Sequence, residues 1–69
     1  MSGLDARLRA AHATGDGKAL AVLYAQAAER TAEETACAFY LTHALVHALE
    51  AGDALAAPFR ARLAEMGRI

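Results

Sequence analysis

Of 69 residues, none is tryptophan, and only one each is proline, cysteine and lysine. Each scarcity removes a class of protein. With Cys37 alone, neither an intramolecular disulfide framework nor a zinc finger built on several cysteines is available. A cysteine-poor chain of this kind fits a reducing cytosol. Seven basic residues against eight acidic ones leave a net charge of −1, so there is no basic footprint for DNA or RNA. The longest apolar stretch is interrupted by Thr42, His43, His47 and Glu50. It falls short of the ~18–20 residues of a membrane span. The opening Met-Ser-Gly-Leu-Asp-Ala-Arg has no apolar run of the signal-peptide kind. The expected location is therefore cytoplasmic, with no nucleic-acid and no membrane partner. The length excludes Rossmann-type cofactor folds and multidomain enzymes.

What is abundant is alanine. The hydrophobic fraction is 57%, but 20 of those residues are Ala and only 19 are larger. A domain this short buries ~60% of its unfolded surface, and a single core of this size seldom supplies more than ~3–5 kcal/mol. Alanine, leucine, arginine and glutamate are the strongest helix formers, and no alternating β-branched run exists. The expectation is one all-α domain over 1–69. The Ala/Arg-rich, Lys-poor composition fits a GC-rich bacterial genome.

Four helices follow from apolar spacing and punctuation. The first runs from about Leu4 to Ala13, with Leu4, Leu8 and Ala11 on one face and Ser2 and Asp5 at capping-box spacing. Gly15 suits a left-handed C′ position and Asp16 the next N-cap. The second covers about Lys18 to Arg30, with Leu20, Leu23, Tyr24 and Ala27 aligned. Thr31 and Glu34 match a capping box, which starts the third helix at about Ala32 and carries it to Ala51. This helix is apolar over more than half its circumference and reads as the buried, central one. Gly52 ends it and Asp53 caps a fourth, about Ala54 to Met66, with Leu55, Phe59, Leu63 and Met66 aligned. A start nearer Ala56 would place Pro58 in the first turn, and Gly67 closes the helix.

The chain also echoes itself. His12/His47, Leu20/Leu55 and Tyr24/Phe59 share an offset of 35 residues, and the Gly15-Asp16 and Gly52-Asp53 pairs one of 37. Each Gly-Asp joins two amphipathic helices, giving two helix–turn–helix hairpins. Together with Tyr40-Leu41-Thr42-His43-Ala44-Leu45 through Gly52-Asp53 to Ala56-Ala57, this resembles tetratricopeptide repeats, whose period is ~34 residues. The Leu-Gly pair of that family's first helix and its closing proline are absent here, and two hairpins fall short of the three repeats of a stable solenoid. The resemblance implies a protein-binding helical surface, on a TPR-like or small-bundle frame of four antiparallel helices.

The sharpest polar feature is His43, His47 and Glu50 on the third helix. Their i, i+4, i+7 spacing puts them within ~40–60° of arc. Two histidines and a carboxylate so spaced can hold a divalent metal, with His12 as a further ligand, but metal sites in bundles usually draw carboxylates from several helices. The alternative is a stripe facing solvent or a partner. Phe39 and Tyr40 flank it, and aromatics are enriched at binding hot spots. Tyr40 is expected to lean into the core, while Phe39 lies nearer the polar edge. Phe39 and Val46 lie on the opposite flank from Leu41 and Leu45, so either the other helices wrap the third or a second chain covers it. Cys37 has no base on its own face and reads as inert. No catalytic constellation and no cofactor motif is present. The expected role is a small protein-interaction module, an accessory or adaptor subunit that binds through Phe39, Tyr40, His43, Val46, His47 and Glu50. Self-association, or a metal or small ligand on the histidine stripe, are the alternatives.

Overall fold

The computed structural model describes residues 3–69. It contains α1 (Gly3–Thr14), α2 (Gly17–Arg30), α3 (Glu34–Ala51) and α4 (Ala56–Glu65), with no strand among the described residues. The expected all-α class is what the chain adopts. Ser2 lies outside the described residues, and with it the capping box proposed for the first helix.

Three helices end in one way. In α1 the Gly15 N–H donates to the His12 carbonyl (3.2 Å) and the Asp16 N–H to that of Ala11 (3.0 Å). In α3 Gly52 donates to Leu49 (3.2 Å) and Asp53 to Ala48 (2.8 Å). In α4 Gly67 donates to Ala64 (3.0 Å) and Arg68 to Leu63 (2.9 Å). This is the Schellman pattern, in which the residue after the helix turns left-handed to satisfy the last carbonyls. Gly15 and Gly52 have φ of 67° and 65°, which a side chain would make costly.

The two Gly-Asp pairs diverge after the turn. Asp16 is the N-cap of α2, where its Oδ1 accepts from the Ala19 N–H at 3.1 Å. Asp53 instead accepts from the Leu55 N–H at 2.9 Å, closing a local turn. Helix α4 then begins at Ala56, three residues beyond the expected cap, and Pro58 falls in its first turn, where the missing N–H costs nothing. The third helix also starts later than the sequence pattern suggested. Thr31 accepts from the Glu33 N–H at 3.2 Å, so its hydroxyl closes a tight turn and is not a cap for Glu34. Glu33 occupies the N-cap position without a side-chain cap.

Each helix packs on its sequence neighbours: α1 on α2, α2 on α3, α3 on α4. The result is one layer measuring 32 × 29 × 12 Å across its Cα atoms. The middle seam is lined with alanine. Ala21, Ala44, Ala48 and Leu41 are fully buried there, with Ala28 almost so. Phe59 and Leu63 of α4 complete this core. A second cluster, Leu4, Ala11, Leu20, Leu23 and Ala27, holds α1 to α2.

Of the two arrangements expected for the third helix, the other helices do not wrap it. In α3, Phe39, Val46 and Leu49 are 57%, 45% and 51% exposed. The physical reason is the layer: α3 has a neighbour on each side but none across its remaining face, and α1 packs on α2 alone. General looseness is not the cause. The accessible surface of 4269 Å² is close to the ~4,100 Å² that size scaling gives for a folded chain of this mass.

Two substitutions test this packing by chemical denaturation. Leu41→Ala is expected to cost ~2–5 kcal/mol, enough to unfold much of the protein. Ala48→Leu, which overfills the seam, is expected to cost ~1–3 kcal/mol, whereas the same change at exposed Ala54 should alter stability by less than ~0.5 kcal/mol.

Candidate functional site: an aromatic and histidine ridge

Three of the residues expected to bind a partner, Tyr40, His43 and His47, gather around one side chain from a different helix. Tyr24, in the middle of α2, has alanines at 21, 25 and 28 around it. Its small neighbours leave the half-buried ring free to reach across to α3. There it stacks on His43 (centroids 5.0 Å apart, planes at 20°) and on His47 (5.6 Å, 10°). It also meets Tyr40 at 6.5 Å. From α1, His12 Nε2 forms a 3.2 Å hydrogen bond with the Tyr24 hydroxyl, which gives the phenol the polar partner that a packed tyrosine needs. The His12 ring also meets His47 edge-on at 6.0 Å. Thus α1 and α3, whose backbones are not neighbours, are joined through Tyr24.

Phe39 extends the cluster outward. Its ring packs edge-on against His43 at 4.6 Å and against Tyr40 at 5.6 Å. Val46 follows one to two turns along α3 and is exposed, on the same arc as Phe39 and His43 by the ~100° helical step. Glu50 closes the row: its Oε1 lies 3.6 Å from His47 Nδ1, with the Glu50 side chain 70% exposed. Five of the six residues singled out in the sequence are joined by these contacts, with Tyr24 and His12 added to them, and Val46 shares their side of α3. Tyr40 is half-buried, with one edge against the core clusters.

The ridge is not arranged as a metal centre. Among the described residues no three His, Cys, Asp or Glu side chains converge as a ligand set. His43 and His47 stack on the face of Tyr24, and His12 Nε2 bonds to its hydroxyl. Cys37 is half-buried against the main core cluster, away from any base. Nor do the histidines read as a freely solvated stripe, since both on α3 are half-buried in ring contacts. No buried side-chain polar atom lacks a hydrogen-bond partner among the described residues, and no helix is long and apolar enough to cross a membrane.

No protein-family model, no curated protein and no solved structure matches this chain.

In the sequence Tyr24 belongs to an apolar stripe and to the 35-residue echo, and neither marks it as the centre of the ridge. A usable signal was present. A packed tyrosine usually finds a partner for its hydroxyl, and the one histidine on α1 is His12. The contributions separate by mutation in urea unfolding. Tyr24→Phe, which removes the exposed hydrogen bond alone, is expected to cost less than ~1 kcal/mol. Tyr24→Ala also removes the stacks on His43 and His47 and is expected to cost at least ~1–2 kcal/mol.

Proposed function

We propose that this chain is a small protein-interaction module, an accessory or adaptor subunit whose recognition surface is the ridge of α3. One observation carries the reading. Phe39, Val46 and Leu49, all about half exposed, stand beside a ring cluster that fixes Phe39 and both histidines in place. Large apolar side chains in water mark binding surfaces when they are contiguous, and rigid aromatics lose little conformational entropy on docking. The polar members, His43, His47 and Glu50, supply the hydrogen-bonding edge that gives such a surface direction and selectivity. The absence of a catalytic constellation in the sequence agrees with a binding role.

A specific feature keeps self-association as the second reading. Phe39, Val46 and Leu49 recur at i, i+7 and i+10, the spacing of an interhelical seam, and a second copy presents the same row.

Affinity purification from the native host tests the first reading. A stoichiometric partner is expected with the wild-type chain and is expected to be lost with Phe39→Ala/Val46→Ala, whose thermal unfolding should shift little because both positions are exposed. Repeated recovery of nothing would defeat it. Light scattering on the pure protein decides the second, since a clean monomer at high concentration removes self-association.

A further inference from the structure

The opposite face of the layer carries a second surface with different chemistry. Between α1 and α2 runs an open trough of about 700 Å³. Its floor is Ala10 and Ala11 of α1 with Ala19, Val22 and Leu23 of α2. Val22 and Tyr24 are two residues apart, which sets them ~160° apart around α2 at the helical step of ~100°. The trough therefore faces away from the ridge. Alanine on both banks keeps it broad enough for another chain to approach closely.

Its rim is cationic. Arg7 stands on the α1 bank and Lys18 on the α2 bank, both exposed and neither in an ion pair among the described residues. The neighbouring Arg9, by contrast, is paired with Asp5 at 3.2 Å. The acid in the lining is Asp16, whose carboxylate accepts from the Ala19 N–H at the N-terminus of α2 and keeps its charge, so the two cations outweigh it by one. The Thr14 hydroxyl is also in use, donating to the Ala10 and Ala11 carbonyls at 3.2 and 3.3 Å. What the trough offers an incoming group is thus an apolar floor with two unpaired cations along its sides.

We infer that this trough is a docking site for an acidic amphipathic helix of a partner protein. The charge of the rim selects the acid, and the apolar floor selects the amphipathic face. The openness of the trough selects a helix over a small molecule. A small ligand is normally enclosed over most of its surface, whereas a helix lying along the trough buries one face and leaves the other in water. Two cations are also too few to hold an anionic membrane surface, at ~1 kcal/mol each. Arg7 sits midway along α1 and Lys18 in the first turn of α2, so the partner's carboxylates lie more than one helical turn apart.

The inference stands apart from the ridge, and its test keeps the two separable. The probe is a synthetic helical peptide with leucines at i, i+4 and i+7 and glutamates flanking them, titrated against the whole chain by calorimetry and by amide chemical shifts. Its lysine-substituted counterpart is the control. Expected are binding of the acidic peptide alone, shifts at Ala10, Ala19 and Val22, and weakening as salt is raised. Arg7→Glu/Lys18→Glu, at exposed positions, should fold normally by circular dichroism, weaken the acidic peptide by roughly tenfold or more and favour the lysine peptide instead. Equal binding of the two peptides, no binding, or an affinity unchanged in the double variant overturns the inference. Shifts confined to Phe39, His43 and Val46 overturn it too, while leaving the ridge standing. Binding of dodecanoate in place of the peptide would assign the trough to a small amphiphile and also overturn it.

Discussion

Helices α2 and α3 meet along a seam of methyl groups in the middle of the layer. Ala21 and Ala28 on one side meet Ala44 and Ala48 on the other, so that two helices approach with almost nothing between them except methyl groups and Leu41. Dispersion in a contact of that kind is collectively large, since many atoms sit at optimal separation. Close approach has a second effect. Leu41 apart, side chains longer than alanine are kept out of the seam, and those near its edge are directed out onto a face of the layer. Tyr24, Tyr40, His43 and His47 are the residues so directed, and their ring contacts with one another follow from the narrowness of the gap beneath them.

The two outer helices attach to this pair independently. Helix α4 contributes Phe59 and Leu63 to the core shared with α3, and α1 contributes Leu4 and Ala11 to a separate cluster on α2. With no backbone neighbourhood between α1 and α3, the His12–Tyr24–His47 contacts are the thread that ties the first helix across the second to the third. The aromatic ridge is therefore part of the architecture, and in the proposed role it is the recognition surface as well. A surface whose members also hold helices together is rigid where it meets a partner, and rigidity before binding reduces the entropy lost on binding.

Much of this was legible in the sequence. The helical class and the number of helices followed from alanine, leucine and the placement of glycine. Gly15, Gly52 and Gly67 marked helix ends because the left-handed turn they supply is a local requirement that no tertiary contact has to supply. Local hydrogen bonding by short polar side chains was less legible. Thr31 and Asp53 both have the chemistry of a helix cap, but a threonine or aspartate can equally close a two-residue turn, and only the path of the chain beyond it decides. The greatest difference concerned α3. Apolar periodicity shows how much of a helix avoids water in isolation, not how many neighbours are long enough to cover it. Phe39, Val46 and Leu49 remain uncovered because the chain forms a single layer, and the role of Tyr24 depends on which rings lie across the seam, which periodicity does not encode.

The alanine seam bears also on how this protein responds to temperature. Apolar surface exposed on unfolding sets the heat-capacity change, at ~0.45 cal/K/mol for each Å², and a methyl group exposes little of it. A core built on Ala21, Ala28, Ala38, Ala44 and Ala48 accordingly yields a heat-capacity increment per residue below the usual ~12–15 cal/mol/K. The stability curve flattens as that increment shrinks. With a flatter curve the folded fraction changes slowly with temperature.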